Sequence, residues 1–335
     1  MSDQRGPRRV LVTGATGFVG KALLPALVEA GCLVRASTRG AVSPAKSAGP
    51  VEWVTCDVGR TEDVERALQG IDAVFFLVHA MGSGAHDYAQ TERRVALELR
   101  EAAARAKVTR IIFLGGVAPS AEPSEHLKSR LAVGEVLRGG AVPTVELRAS
   151  MIIGNGSASW QIVRDLAMRL PAMLLPSWTA SRTCPIAIED VVVALVRALD
   201  VPLPGSAWYD IPGPDTVSGA QILSTIASLR GRRVPSLRVP FLSVSLSSWW
   251  LKLVTRADFS LARELVLGFK ADLLPADDRY WGEIDYRPRL TFEAAARKAL
   301  EEEPWGPGLR GVAGKLEETV VQFVSPKVSA PRRPR

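Results

Sequence analysis

The sequence predicts an α/β protein: a doubly wound, mostly parallel sheet with a smaller, mainly helical lobe toward the C-terminus. Three observations predict it. Short β-branched or apolar runs alternate with helical patterns through residue 170, a glycine-rich turn joins the first run to the first helix, and the rhythm changes beyond Asp200. A chain of 335 residues, 47% hydrophobic and 23% charged, is long enough to bury the core that such a fold requires.

The first strand runs from Arg9 to Thr13 and stops at Gly14-Ala15-Thr16-Gly17-Phe18-Val19-Gly20, after which Lys21 to Glu29 reads as a helix. Glycine has a separate job at each of the three positions. Gly14 permits the tight turn, Gly17 lets the backbone approach a pyrophosphate, and Gly20 lets helix and strand pack closely. The helix N-terminus then offers unpaired N–H groups to phosphate oxygens. This G-x-x-G-x-x-G spacing is a dinucleotide fingerprint. It is unlike a Walker A loop, because Lys21 is not followed by Ser or Thr. Gly14, Thr16, Gly17, Phe18, Val19 and Gly20 are therefore the candidate cofactor turn.

The second strand and its exit span Cys32 to Arg39. No Asp or Glu stands there to take the ribose hydroxyls of NAD; the exit offers Ser37, Thr38 and Arg39. An arginine fork suits a 2′-phosphate, so NADP is the preferred cofactor and NAD the alternative, and a solvent-facing Arg39 is the competing reading. Val51 to Cys56 forms a third strand ending in Asp57-Val58, where Asp57 either meets the adenine amino group or caps a turn. Thr61 reads as the N-cap of a short helix, with Glu62 and Asp63 in its first turn.

Asp72 to His79 is almost continuously apolar, as a strand covered on both faces should be, and its exit His79-Ala80-Met81 is placed to line the ribose and substrate side. A long helix follows from about Asp87 to Ala106. Arg110 to Gly116 is the fifth strand, and its last two glycines offer a substrate no side chain. The helix from about Pro123 to Arg138 carries His126 and Arg130 four apart, hence on one face. Val142 to Leu147 is the sixth strand; Ser157 to Leu170 and Ile186 to Leu199 are helices. Further on come a strand-like Ala207 to Ile211 and helices at Ser218 to Leu229, Phe259 to Phe269 and Phe292 to Glu302. The expected organisation is a dinucleotide-binding domain over residues 8–200, a substrate-side lobe over 201–302 that can share elements with it, and an irregular basic extension over 303–335.

Composition excludes several functions. The net charge of +7 is read as solvated surface and a basic tail, with a phosphorylated cofactor as one beneficiary, and no nucleic-acid module accompanies it. Cys32, Cys56 and Cys184 make no C-x-x-C pair, and three histidines make no metal cluster. The polar N-terminus has no signal-peptide core and no apolar run reaches spanning length, so the expected home is a reducing cytoplasm.

Val12 to Gly20, Phe76 to Met81, Ser124 to Arg130, Leu147 to Gly154 and Pro185 to Val191 together resemble an atypical or extended short-chain dehydrogenase/reductase. The likeness is closest to the NmrA-like, NAD(P)H-binding branch that includes epimerase/dehydratase-like proteins, and it spans most of residues 8 to 302. The resemblance implies a Rossmann fold, a catalytic Tyr-x-x-x-Lys pair on the helix after the fifth strand, a supporting Ser or Thr at that strand's exit, and a homodimer surface on two long helices. This chain departs from the pattern at each catalytic position. His126 and Arg130 stand where Tyr and Lys belong, and Gly115-Gly116 where the hydroxyl belongs. The expected function is an NADP-dependent oxidoreductase on a small or medium hydrophobic carbonyl compound, with His126 as proton donor and Arg130 positioning ribose or charge. Two alternatives stay open. One is a redox-inactive NAD(P)-binding sensor or assembly protein; the other is a membrane-surface accessory protein using Trp249-Trp250 and the basic tail.

Overall fold

The computed structural model describes residues 6–42, 49–78, 88–169, 173–175, 177–232, 236–238, 271–287 and 289–303. In chain order the strands are β1 (Arg9–Thr13), β2 (Leu33–Thr38), β3 (Val51–Thr55), β4 (Ala73–Phe76), β5 (Arg110–Gly116), β6 (Thr144–Ala149), β7 (Ile152–Ile153), β8 (Met173–Leu175), β9 (Arg182–Thr183), β10 (Ile186–Ala187), β11 (Ala207–Asp210), β12 (Val217–Ser218) and β13 (Ser236–Arg238). Seven of them form one sheet in the order β11-β6-β5-β4-β1-β2-β3, every pair parallel. Strand order reverses at β1 and β4. A crevice opens there at the carboxyl ends of the strands, the place where doubly wound folds take ligands.

The helices are α1 (Phe18–Glu29), α2 (Thr61–Leu68), α3 (Tyr88–Arg105), α4 (Glu125–Arg138), α5 (Ala158–Arg169) and α6 (Ile188–Arg197). Successive strand residues point to opposite faces, so each strand feeds two cores. Val10 and Val12 meet Leu23 and Leu27 of α1 and Val191 and Leu195 of α6; Leu11, Val74 and Phe113 meet Leu68 of α2, Leu99 of α3 and Leu137 of α4. A third cluster builds the lobe. Trp160 of α5 packs with Ile222 and Ile226 of α7 (Gly219–Leu229), while α8 (Arg279–Glu283) sends Tyr280 and Trp281 back to the first core, and Phe292 and Ala296 of α9 (Phe292–Glu301) close the lobe. The polypeptide thus passes between sheet and lobe more than once, since α5 precedes residue 200 and β11 follows it.

Several arginines turn inward to helix ends. Arg35 donates to Ala67 O and Gln69 O behind α2, Arg110 to Ala198 O and Val201 O behind α6, and Arg8 to Leu199 O. Arg232 does the same for Ala167 O and Met168 O behind α5, and Arg230 for Leu300 O in α9. Each meets carbonyls left over where a helix stops. These five of the 42 basic residues thus serve helix ends.

Boundaries differ from the sequence expectation for local reasons. Helix α1 starts at Phe18, before Lys21, because Gly17 is already the extended N-cap. Arg60 occupies the cap position of α2 and Thr61 is its first helical residue. Strand β6 starts after Pro143, whose nitrogen has no hydrogen for the ladder. Ile186–Ala187 pairs with β7 as β10, so the following helix begins at Ile188. Trp249, Trp250, the Phe259 to Phe269 helix and the basic tail lie outside the described residues. Among the described residues no helix is long and apolar enough to cross a membrane.

Candidate active site

The carboxyl end of β1 is tied to β4 by a buried hydroxyl: Thr13 Oγ1 donates to Phe75 O at 3.1 Å and accepts from Leu77 N at 3.4 Å. Gly14 follows at φ +71°, and a Cβ there would lie 2.8 Å from Leu77 O. One turn on, a Cβ at Gly20 would lie 2.4 Å from Gly14 O. Both glycines are required by close backbone approach. Gly17 N donates to Gly14 O at 2.9 Å, and Gly17 caps α1 without any side chain, so no side chain claims the first N–H groups of the helix. Thr16 and Gly17 make the exposed crest, Val19 packs into the core, and Phe18 is wedged against Gly154, where a Cβ would come within 2.7 Å of its ring. A cradle lined by backbone and open at a helix N-terminus fits a pyrophosphate.

At the exit of β2, Arg39 is exposed beside Thr38, whose Oγ1 accepts from Gly40 N at 3.3 Å. Asp57 makes a turn: its Oδ1 accepts from Gly59 N at 3.0 Å and its own N donates to Asp63 Oδ2 at 3.0 Å. Val58 packs on the core under α2. His79, Ala80 and Met81 lie outside the described residues.

Ser124 caps α4 by accepting from Leu127 N at 3.4 Å, so this hydroxyl serves the helix end. Arg130 is 8% exposed; its guanidinium donates to Leu114 O and to Val78 O (3.4 Å) and stacks on the Phe113 ring at 4.6 Å. It therefore clamps the carboxyl ends of β4 and β5 from above. One turn earlier, burial and the positive charge of Arg130 push His126 down to about 4. At neutral pH the ring is neutral imidazole, where the sequence suggested a near-neutral acid.

That shift has a sign. An unfolded histidine takes up a proton near 6.5, whereas folded His126 resists until about 4, so stability is full above 6.5 and is lost as pH falls between those values. The loss should reach about 3 kcal/mol. Urea denaturation at pH 7.5 and pH 4.2 checks it: His126→Gln, which has no proton to gain, should lose about 3 kcal/mol less than wild type across that window. Equal losses would refute the assignment.

The missing hydroxyl at the exit of β5 has a physical cause. A Cβ at Gly115 would lie 2.9 Å from Glu146 Oε1, and one at Gly116 would lie 2.6 Å from Leu127 Cδ1. The first contact is held in place by the ion pairs of Glu146, whereas the second is a leucine methyl that can turn aside. Glu146, wholly buried on β6, accepts from Arg138 Nε at 2.7 Å and Arg148 Nε at 2.9 Å, and its carboxylate fills the space where a Cβ at Gly134 of α4 would sit, 2.4 Å away. His126, Arg130, Gly134 and Arg138 thus form one sheet-facing stripe at i, i+4, i+8 and i+12. Sequence reasoning missed Glu146 and the buried Glu92 of α3, which accepts from Ser129 Oγ at 2.5 Å. A signal existed for Glu92, a lone carboxylate on an otherwise apolar stripe, but not for Glu146, which shares its strand face with Thr144 and Arg148.

Sheet order, glycine cradle and open helix end define a Rossmann-type fold with a turn suited to a dinucleotide. More particularly, the fold is similar to that of solved nucleotide-sugar epimerases and related proteins. A family profile described as NAD(P)H-binding matches residues 14–168. The ceramide reductase of Caulobacter vibrioides is 29% identical over 249 residues, covering 71% of this chain and 75% of that protein. A (4-alkanoyl-5-oxo-2,5-dihydrofuran-3-yl)methyl phosphate reductase of Streptomyces griseus is 25% identical over 293 residues, covering 84% and 95%. Among solved structures, MoeE5 in complex with UDP-glucuronic acid and NAD superposes with TM-score 0.66 at 20% identity, covering 88% of this chain and 98% of that one.

Proposed function

We propose that this protein is an NADP(H)-dependent reductase of a small or medium hydrophobic carbonyl compound. The observation that carries the reading is the backbone cradle at Gly14, Gly17 and Gly20 with Arg39 exposed at the next strand's exit, a stretch whose residues 33–42 include no Asp or Glu. Arg39 would engage the 2′-phosphate, and the first N–H groups of α1 the pyrophosphate. When bound, the nicotinamide supplies the hydride. His126, held neutral, donates a hydrogen bond to the substrate's carbonyl oxygen and releases its proton once that oxygen carries the charge, as neutral imidazoles do in other active sites. Arg130 acts one step back, fixing α4 against Leu114 O and Val78 O so that His126 keeps its place. Both relatives named above are called reductases, and ceramide and an alkanoyl furan both carry alkyl chains, which supports a hydrophobic substrate.

The test is a pair of variants on coenzyme binding and turnover. Arg39→Ala should weaken NADPH binding about tenfold and leave NADH binding within twofold, since one charge-assisted phosphate contact is lost. His126→Ala should abolish reduction of a medium-chain ketone and aldehyde panel while NADPH still binds. Equal losses for both coenzymes would remove Arg39 from the site. One observation favours a redox-inactive sensor instead: the ion-paired Glu146 carboxylate stands where a side chain at Gly115 would begin. Tight NADPH binding with no turnover on that panel would decide for it.

A further inference from the structure

The inference rests on the reading of His126 as the hydrogen-bond donor of the site. Helix α3 lays Val95, Ala96, Leu99, Ala102 and Ala103 against the sheet, and Glu92 sits one turn earlier on the same stripe. A surface carboxylate does not belong there. Glu92 is 6% exposed, and its bond from Ser129 Oγ brings it to the stretch of α4 that carries His126 three residues before and Arg130 one residue after. A carboxylate so short of water needs a cation nearby or it takes up a proton. Arg130 is a buried cation within range: Glu92 outweighs Glu146 among the negative charges acting on it. Glu146 is already committed to Arg138 and Arg148.

We infer that Glu92 is a positioning residue of the site, balancing Arg130 from α3 and fixing the face of α4 from which His126 reaches substrate. Among the described residues the charged groups acting on His126 are Arg130 on its own helix and Glu92 on the helix packed against it, and they pull in opposite directions. Glu92→Gln keeps the outline of the side chain and its bond from Ser129 while removing the charge. Neither group belongs to the glycine cradle.

The experiment reads NMR titration of the His126 ring, NADPH affinity and ketone turnover in wild type, Glu92→Gln and Glu92→Asp. With three histidines in the chain, His126 is assigned by its loss in His126→Gln. Glu92→Gln should lower the His126 midpoint by about one pH unit, cut kcat about tenfold with little change in KM, and leave NADPH affinity within about threefold of wild type; Glu92→Asp should restore part of kcat. A His126 midpoint that does not move overturns the inference, whatever the turnover. Should wild type turn over no ketone, a shifted midpoint still supports the placement of Glu92 while the reductase reading falls. Should wild type turn over ketone and Glu92→Gln match it in kcat and midpoint, the reading stands and the inference falls. If Glu92→Gln does not fold, Arg130→Met and Glu92→Gln/Arg130→Met replace it. His126 should then titrate higher in the single variant, where Glu92 keeps its charge, and equal midpoints overturn the inference.

Discussion

Gly20→Val is expected to abolish NADPH binding while the sheet stays folded. A Cβ at this position meets Gly14 O at 2.4 Å, Ala15 Cα at 2.7 Å and the Ala15 carbonyl carbon at 2.9 Å. All three are backbone atoms, so no rotamer can relieve the overlap. The turn itself must open, carrying Thr16 and Gly17 away from the end of α1. A loss of at least about 100-fold in affinity corresponds to about 2.7 kcal/mol. Fluorescence titration of NADPH measures it, and the thermal shift that NADPH gives the wild type should vanish with it. Affinity within threefold of wild type would mean the cradle does not hold the coenzyme.

The largest stability effect should come from Glu146→Ala. The carboxylate bridges Arg138 and Arg148 with no exposure to water, and Arg148 also stacks on Trp208 at 4.3 Å. Removing it leaves two arginines facing each other across a dry gap, which costs about 3–5 kcal/mol. Urea unfolding should show that loss as a lower midpoint at unchanged slope. A change under about 1 kcal/mol would show that water or a nearby group replaces the carboxylate. The same packing explains a helix-interior glycine: Gly134 leaves the carboxylate its room.

The sheet was legible because each of its strands carries its own signal. Continuous apolar runs at Val10 to Val12 and Ala73 to Phe76 can be buried on both faces only between layers of helices, and the glycines at 14, 17 and 20 mark where the first crossover starts. The site was legible only in part. His126 and Arg130 are visible as an i, i+4 pair, but what they do depends on partners far away in sequence: Leu114 O and Val78 O for Arg130, and Glu92 for the electrostatics of both. Spacing reports neighbours within a helix and is silent about a carboxylate reaching in from another one. Likewise Gly115 and Gly116 read as an absence of chemistry, whereas in space they are the imprint of Glu146 and Leu127. Asp57 shows a third limit, since a turn-capping carboxylate and a ligand-binding one have the same local sequence.

The inward arginines sort the field of the molecule by edge. In a doubly wound fold the helices α2 and α6 end at the amino edge of the sheet, where their partial negative charges gather; Arg8, Arg35 and Arg110 cancel them there. The positive helix start beside Gly17 receives no such cancellation. The fold is therefore polarised along its strands, with the unneutralised positive end directed at the crevice. An isoelectric point near 9.6 then says little about affinity for polyanions at large. The attraction for phosphate is local to one mouth of the sheet, where the helix start stands open to solvent, and salt screens it as it screens other exposed charge.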